Sequence, residues 1–245
     1  MIRILPYNRG HTVKQLGYST SAWLDGRVGD YDRDVIIRWG NHSTFHNRFG
    51  QAREFRNVLN PARAIKLNIN KIEAHKVMSQ AVRTPKLFTR QTPAHGLFVV
   101  RPYSHQGGSG FRVVEANGRP IQLGNYEYAT EFLRTNTEFR VWFVGNRTIR
   151  ARRAPMAEKN QGGEKYPCRS NYGYIFYPNV PQTLHNYTIN AARAIGLDVG
   201  AADVLLANDK WYFLELNSSP STDLPILNRW MIKSINALCH ERFGI

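Results

Sequence analysis

The chain has 245 residues, of which 42% are apolar and 21% are charged. A chain of this size and composition can bury a core, so disorder is excluded as its main state, and one large domain or two to three lobes are expected. No uninterrupted apolar stretch approaches the roughly 20 residues that span a bilayer. The start, Met1–Pro6, is too short for the apolar part of a secretion signal. We therefore expect a cytoplasmic protein, in the host cell if a virus encodes it, without membrane contact.

The charge balance is strongly basic. The sequence carries 33 Lys and Arg against 18 Asp and Glu, a net charge of +15. This surplus predicts an anionic partner such as a nucleotide, an acidic substrate, a nucleic acid or another anionic polymer, but it does not choose among them. Cys168 and Cys239 are too isolated to signal a zinc site or a disulfide framework.

Residues 1–65 have the pattern of a small α/β lobe. An apolar strand is predicted at Ile2–Leu5, a helix at Ser19–Leu24 and a second apolar strand at Val35–Ile37. Arg38, at the end of the second strand, is a candidate for binding a substrate carboxylate.

Residues 66–135 are predicted to begin with a helix at Lys71–Met78, which ends before Thr84-Pro85. The Asn117-Gly118 dipeptide predicts a hairpin turn after the last strand of this segment. The predicted strands are Leu87–Phe88, Leu97–Arg101 and Phe111–Glu115.

Residues 136–245 are dominated by predicted strands and end in a helix. Gly196 is predicted to close an internal helix, and the apolar stripe from Leu227 to Cys239 predicts the terminal one. Strands and helices in this order indicate α+β lobes around a cleft. The remaining predicted elements are strands at Phe139–Val144, Thr148–Arg153, Val204–Ala207 and Trp211–Leu216 and the helix Leu184–Ile195.

The hairpin formed by the last two strands carries the clearest chemical signal. A three-residue loop at Asn208–Lys210 would place Asp203 opposite Glu215, and Asn217 would share their face because strand side chains alternate. Two carboxylates and an amide oxygen form a site for a hard cation such as Mg²⁺, which also takes phosphate oxygens. In the alternative interpretation, Asp203 caps a turn and Glu215 pairs with one of the many arginines.

A glycine loop at Gln106–Phe111 joins two predicted strands. Glycines let backbone amides approach a phosphate closely, so the loop could cover a triphosphate, although it is neither a Walker A motif nor a Rossmann fingerprint. Lys71 and Arg101 supply cations for the same anion. The alternative is a mobile hairpin tip with solvated cations nearby. The loop residues concerned are Gly107, Gly108, Ser109 and Gly110.

Arginines concentrate on one predicted strand and after the next loop. Arg150 and Arg152 share a strand face, Arg153 follows them, and Arg169-Ser170-Asn171 comes later in the chain. Guanidinium groups suit a carboxylate or an acyl phosphate. A basic surface stripe is the alternative.

Taken in chain order, these motifs resemble the ATP-grasp superfamily, and within it the RimK-like ligases that add amino acids to carboxyl ends. The resemblance runs from about residue 60 to about residue 225 and implies an ATP-grasp fold, with two α+β subdomains that clasp ATP and a small α/β N-terminal lobe. The implied boundaries are 1–65 for the lobe, 66–135 for the subdomain with the glycine lid, and 136–245 for the subdomain with the metal site. The motifs are Lys71, Val99–Pro102, Gln106–Gly110, Glu131–Leu133, Glu138–Val141, Arg169–Asn171, Asp203 and Glu215–Pro220.

The resemblance also implies roles for these residues. Phosphates of ATP would be held by Lys71 and Arg101 under the lid Gly107–Gly110, and adenine would be received by the hinge residues Glu131, Phe132 and Leu133. Glu138 would face the ribose or support the site. Two Mg²⁺ ions, or Mn²⁺ instead, would be bound by Asp203, Glu215 and Asn217. The transferred phosphoryl group would face Arg152, Arg169 and Asn171.

The chain departs from the family pattern at two places. The family usually has Lys where Arg101 stands, which changes the geometry of the charge, and Tyr172-Gly173 replaces the glycine pair that commonly follows the Arg-Ser-Asn motif.

The implied activity is an ATP-dependent ligase reaction that joins a carboxylate and an amine through an acyl phosphate, with amino acids, peptides or proteins as the substrates. Phosphoryl transfer relies on alignment and charge neutralisation, which agrees with a site of metal ligands and cations but no catalytic triad. Two alternatives stay open: a basic nucleic-acid-binding protein, and an ATP-grasp protein that binds nucleotide without ligating anything.

Overall fold

The fold is taken from a computed structural model of the chain. The structure describes residues 1–7, 16, 19–20, 34–43, 45–46, 52–53, 55–103, 110–135, 137–155, 165–169, 172–177, 179–222 and 224–245. Within these ranges, none of the helices is long and apolar enough to span a membrane.

The N-terminal lobe is built on a parallel sheet with the strand order β2-β1-β3-β6. Both predicted strands are confirmed, and β3 is buried along its whole length, as expected of a central parallel strand. The predicted helix is wrong at Ser19–Thr20, which pairs with β1 instead; its remaining residues lie outside the described ranges. The short polar segment has no periodic signal of its own, so pairing decides its structure. The strands are β1 (Ile2–Pro6), β2 (Ser19–Thr20), β3 (Val35–Trp39) and β6 (Asn57–Leu59), with β4 (Phe45–His46) and β5 (Ala52–Arg53) as a separate antiparallel pair.

Two consecutive helices follow, α1 (Ala62–Ile69) and α2 (Lys71–Ala81). Asn70 separates them, and its side chain accepts a hydrogen bond of 3.3 Å from the Glu73 amide, which caps the start of α2. This boundary places Lys71 in the first turn of α2. The implied domain boundary between residues 65 and 66 falls inside α1.

The middle sheet is antiparallel, with the order β7-β10-β8-β9, and has a small core of its own. The hairpin predicted at Asn117-Gly118 is wrong, because β9 pairs with the preceding β8. Beyond the turn, Pro120 lacks an amide for a ladder, and Gln122 makes an isolated bridge to Gln91. The strands are β7 (Leu87–Phe88), β8 (His95–Pro102), β9 (Arg112–Asn117) and β10 (Glu127–Glu131).

The large sheet has six antiparallel strands in the order β13-β14-β12-β11-β15-β16. One face packs on helices α1, α2 and α3 through residues such as Phe139 and Val141, and the other packs on α4 and the N-terminal lobe through residues such as Trp142. The strands are β11 (Glu138–Val144), β12 (Arg147–Pro155), β13 (Lys165–Arg169), β14 (Tyr172–Tyr177), β15 (Val199–Ala207) and β16 (Lys210–Asn217).

The two remaining helices confirm their predictions. Helix α3 (Gln182–Ile195) ends at Gly196, whose φ of +87° is the left-handed conformation expected of a helix end. Helix α4 (Pro225–Phe243) buries the predicted stripe from Leu227 to Cys239.

The β15–β16 hairpin differs from its prediction at the turn. The loop has two residues, Asn208 and Asp209, with φ of 48° and 56°, which is the type I′ geometry that suits twisted hairpins. Asp203 nevertheless pairs with Glu215 as predicted, because a bulge at Leu214 adds the residue that the shorter turn removes. The bulge also turns Glu215 to the face opposite Phe213.

Candidate functional site

A central cavity lies between the middle sheet and the large sheet. Its walls include Lys71 and His75 from α2, Arg101 from β8, Tyr128 from β10 and Leu214–Leu216 from β16. The closed part of this cavity is small, about 30 Å³, and the rest of the space along these walls is open to solvent. The structure thus brings together three residues that the sequence singled out from distant segments: Lys71, Arg101 and Glu215.

Four charged side chains form a row across the edge of the large sheet, and we call them the charge row: Arg140, Asp203, Glu215 and Lys71. Strand pairing places Arg140 opposite Asp203 and Asp203 opposite Glu215. Arg140 donates from Nε to Asp203 Oδ1 and from Nη2 to Asp203 Oδ2, both at 2.6 Å. Lys71 Nζ lies 3.1 Å from Glu215 Oε2. Two neighbouring carboxylates are therefore flanked by a cation on each side.

The inner end of the charge row is buried. Asp203 is only 7% exposed. Burial alone would lower the pKa of Arg140, but the Asp203 carboxylate raises that pKa above the ordinary arginine value. Arg140 is therefore charged at neutral pH. The alternative considered from the sequence had Asp203 capping a turn and Glu215 pairing with an arginine. In the structure Asp203 lies within β15 and pairs with Arg140, whereas Glu215 pairs with Lys71.

Asn217 completes that set. Its Nδ2 donates to Asp203 Oδ2 over 3.2 Å, which leaves its Oδ1 oxygen for a cation. Within the described ranges, no three His, Cys, Asp or Glu side chains lie close enough together to hold a metal. The candidate ligands are therefore two carboxylates and one amide oxygen, a hard donor set that fits Mg²⁺ when phosphate oxygens and water fill the other positions.

Arg101 has the character of an anion-binding residue. It lies opposite Tyr128 in the middle sheet and hydrogen-bonds to the Tyr128 hydroxyl. Burial raises the pKa of Tyr128, so this hydroxyl is neutral. The Arg101 Nε is buried and donates no hydrogen bond within the described part of the chain. A buried donor without a partner on a cavity wall fits an anionic ligand such as a phosphate.

The predicted hinge lies beside the cavity, and its three residues are not part of the wall. The Glu131 amide donates to the Lys86 carbonyl (3.0 Å) and the Phe132 amide to the Leu97 carbonyl (2.9 Å). Of the three hinge amides, that of Leu133 makes no backbone hydrogen bond to a described residue.

The predicted glycine lid falls largely outside the described residues, which exclude Gly107, Gly108 and Ser109. Gly110 is described, with φ of +73°, just before β9 begins.

The predicted arginine cluster is divided between the two faces of the large sheet. Arg150 and Arg152 share a face, as predicted, but it is the face covered by α1, α2 and α3, because Arg152 pairs with Phe139. Arg150 lies over the rings of Phe139 and Tyr177, at 5.3 Å and 5.0 Å. Strand alternation therefore places Arg152 on the opposite face from the charge row.

Arg153 and Glu138 occupy the face of the charge row, where Arg153 Nη1 donates to Glu138 Oε1 over 2.9 Å. Arg169 ends β13, at the opposite edge of the sheet from β16. The Arg169 side chain and Asn171 lie outside the described part of the structure.

Arg38, the candidate for a substrate carboxylate, is buried. Its Nη1 donates to the carbonyls of Asn41 (3.3 Å) and Ser43 (2.9 Å), and its guanidinium lies over the Phe55 ring at 5.7 Å. These contacts hold the loop after β3, so the structure gives Arg38 a role within the fold.

Sequence reasoning missed three residues of this site. His75 lies one helical turn after Lys71, so local spacing carried a weak signal for it, whereas Tyr128 meets Arg101 only because β10 pairs with β8. Arg140 meets Asp203 only because β11 pairs with β15, and no local pattern announces that pairing.

Comparison with known proteins identifies the fold. No protein-family model matches the sequence, and no curated protein matches it. Solved structures of ATP-grasp ligases do match. ATP-grasp ligase PsnB, complexed with minimal precursor, Mg and ADP, aligns with a TM-score of 0.64 at 14% identity over 97% of this chain and 96% of its own. D-alanine–D-alanine ligase from Bacillus anthracis, complexed with ATP, aligns with a TM-score of 0.62 at 12% identity over 98% and 97%.

A third match is the macrocyclase MdnC bound with precursor peptide MdnA from Microcystis aeruginosa MRC, with a TM-score of 0.56 at 13% identity over 97% of this chain and 100% of MdnC. In the match to another structure of PsnB, complexed with minimal precursor, this chain spans 63% of the length of the PsnB chain. The protein therefore has the ATP-grasp fold, α+β with an α/β N-terminal lobe, as the sequence predicted.

Proposed function

We propose that the protein is an ATP-dependent carboxylate–amine ligase that forms an amide or peptide bond and releases ADP and phosphate. One observation carries the proposal: Lys71 and Glu215 of the charge row line one cavity with Arg101, and Asp203 lies opposite Glu215, so that oxygen ligands for a metal lie beside cations for phosphates. PsnB complexed with Mg and ADP, and the D-alanine–D-alanine ligase complexed with ATP, support a nucleotide in this fold.

In this proposal, the nucleotide lies in the central cavity. Arg101 Nε and Lys71 Nζ bind its phosphates, and Leu214 contributes an apolar wall for the base. The hinge Glu131–Leu133 receives adenine through its backbone, and Gly107–Gly110 forms the lid. Asp203, Glu215 and Asn217 hold Mg²⁺, as two ions or with Mn²⁺ in its place. The metal, when bound, neutralises charge on the phosphate oxygens.

The chemistry needs no protein nucleophile. A carboxylate oxygen of the acid substrate attacks the γ-phosphorus, the bond to the ADP oxygen breaks, and an acyl phosphate results. The amine nitrogen then attacks the acyl carbon, phosphate leaves, and the amine proton passes to solvent. Lys71 and Arg101 align the phosphates and offset their charge.

The residues proposed to face the transferred phosphoryl group are Arg169 and Asn171. Arg152 was expected there too, but Arg153 is the strand arginine on the face of the charge row. We therefore propose Arg153, held by Glu138, for the role that the resemblance gave to Arg152.

The substrate classes are proposed from the solved structures that share the fold and from the charge of the chain. PsnB and MdnC are complexed with precursor peptides, and the net charge of +15 favours acidic substrates. We propose that the acid and the amine belong to amino acids, peptides or proteins, in a RimK-like reaction in the cytoplasm.

The proposal is tested by incubating the protein with Mg²⁺, ATP and pooled amino acids and peptides, measuring ADP and searching for a new amide by mass spectrometry. We expect ADP to appear only when a substrate is present. Asp203→Asn and Glu215→Gln should lower turnover by roughly 1000-fold or more, as expected when charge stabilisation of a transition state is lost.

Circular dichroism of each variant shows whether the fold is retained. Arg150→Gln, which removes a cation from the opposite face of the sheet, is the matched control and should keep its turnover. Unchanged turnover in both acidic variants would contradict the metal assignment, and nucleotide binding without any amide product would favour the nucleotide-binding alternative.

A further inference from the structure

We propose that the charge row makes divalent-cation binding conditional on a bound nucleotide, and that Arg140 is the positioning residue that sets this condition. The inference rests on the proposed function, because it takes Asp203 and Glu215 as metal ligands. It adds a regulation of that site by side chains of this chain.

The starting point is the charge of the site without ligands. Asp203 and Glu215 are paired with Arg140 and Lys71, and Arg101 lines the same cavity as Lys71 and Glu215. These five side chains carry three positive and two negative charges. A divalent cation is ordinarily held by carboxylates whose charge is not already offset. A free cation therefore meets no net negative charge at this site.

The two pairs differ in how easily they open. Arg140 engages both oxygens of Asp203, Asn217 engages one of them again, and Asp203 is buried. Bidentate arginine–carboxylate pairs in such surroundings are costly to separate. Arg140 is therefore a fixed partner that orients Asp203 and halves the charge that the two carboxylates present.

Lys71 is the exchangeable partner. It makes a single contact of 3.1 Å to Glu215, whose side chain is 26% exposed against 11% for that of Asp203. A triphosphate in the central cavity carries several negative charges and competes for the Lys71 ammonium. When Lys71 moves to the phosphates, its contact with Glu215 Oε2 opens as phosphate oxygens arrive. The nucleotide thereby supplies both the charge and the ligands that the cation needs.

The test measures binding of Mn²⁺ alone, without nucleotide, by the electron paramagnetic resonance signal of free Mn²⁺. We expect wild-type protein to bind Mn²⁺ weakly. Arg140→Gln, which uncovers Asp203, should bind it at least tenfold more tightly. The melting temperature gives a second readout, because a ligand that binds only the folded state raises it. Mn²⁺ should raise it in Arg140→Gln more than in wild type.

A second variant and two controls keep the test independent of folding. Arg140→Gln leaves a buried carboxylate without its main partner, so Lys71→Gln, which uncovers the more exposed Glu215, is measured as well and should shift in the same direction. Adding Asp203→Asn to Arg140→Gln should remove the gain. Arg150→Gln, on the opposite face of the sheet, should bind Mn²⁺ as wild type does.

Wild-type protein that binds Mn²⁺ as tightly as Arg140→Gln and Lys71→Gln would overturn the inference. So would a gain in Arg150→Gln equal to theirs. Binding of ADP is measured separately by calorimetry with Mn²⁺ present. Failure of wild type to bind ADP counts against the proposed function, whereas the comparison with Mn²⁺ alone decides the inference.

Discussion

His75 is a buried histidine in the wall of the central cavity. Its Nε2 lies 2.8 Å from the Pro85 carbonyl oxygen, to which the ring donates. Burial lowers the pKa of His75, the nearby charge of Arg101 lowers it further, and the Pro85 carbonyl opposes both effects. The ring is therefore neutral at pH 7, beside two cations that are positioned for an anion.

This shift predicts a pH dependence of stability. In the unfolded chain His75 titrates near its ordinary pKa of about 6.5, and in the folded protein it titrates lower. Between these values the unfolded state binds more protons, so the free energy of unfolding falls as the pH drops through about 6.5.

His75→Gln keeps a donor for Pro85 and removes the titrating group. We expect the stability advantage of wild type over His75→Gln to shrink between about pH 7.5 and about pH 5.5, by at most about 1.4 kcal/mol per pH unit. Urea unfolding at both pH values measures it. An advantage that stays constant would show that the proton site on His75 does not affect stability.

At the scale of elements, the β15–β16 hairpin shows what local sequence can and cannot predict. The turn signal and the alternation of strands were enough to place Asp203 opposite Glu215. The predicted turn was one residue too long. A bulge at Leu214 makes up for the shorter turn, and packing, not local sequence, determines that bulge. That bulge lets Phe213 and Leu216, three residues apart, both reach the core beneath α1, α2 and α3.

Alternation also explains the position of Arg152. Sequence spacing shows that Arg150 and Arg152 share a face, but not which face meets the charge row. That choice depends on Phe139 and Val141, which are buried against α1, α2 and α3. Because they pair with Arg152 and Arg150, their burial places both arginines on the same face. Tertiary packing therefore determines the face of Arg152, as it determines the pairing of Arg140 with Asp203.

We expect the bulge residue Leu214 to contribute to nucleotide binding. Leu214 lines the central cavity, so Leu214→Ala removes apolar surface from the wall for the base. We expect ADP affinity to fall about tenfold, or about 1.4 kcal/mol, in calorimetric titrations.

Leu206→Ala on the neighbouring strand is the matched control. Leu206 packs against the core beneath α1, α2 and α3, so this variant should lose stability while its ADP affinity stays at the wild-type value. Equal losses of affinity in the two variants would mean that Leu214 acts through the fold and not through contact with the base.

At the scale of the whole molecule, Asn60 joins the N-terminal lobe to the large sheet. It is fully buried, with φ of 57°. Its Nδ2 donates to the carbonyls of Arg38 (3.2 Å) and Val199 (2.8 Å), and its Oδ1 accepts from the amides of Asp198 (2.8 Å) and Val199 (2.9 Å). The sequence motifs predicted the ATP-grasp fold, but a lone asparagine after a strand gave no sign of this junction. Asn60 is separated in sequence from Asp198 by 138 positions and from Val199 by 139.

Loss of this junction should be costly. Asn60→Ala leaves buried carbonyls and amides without partners, and we expect the free energy of unfolding to fall by about 2–4 kcal/mol in urea titrations. Asn60→Gly loses the same hydrogen bonds but accepts the positive φ, so it should be less destabilised than Asn60→Ala by about 1 kcal/mol. A fall below about 0.5 kcal/mol in Asn60→Ala, the range of ordinary surface changes, would contradict this role.

The N-terminal lobe also shares one buried cluster with α4, in which Ile4, Val35 and Leu59 belong to the same core as Met231 and Ile235. The ribosome makes α4 after every other described element, so the first strands emerge long before the surface that covers them. Contacts between such distant segments slow folding, and the nascent lobe exposes its apolar side meanwhile. Chaperone capture of the growing chain should therefore persist until residues 225–243 have left the exit tunnel.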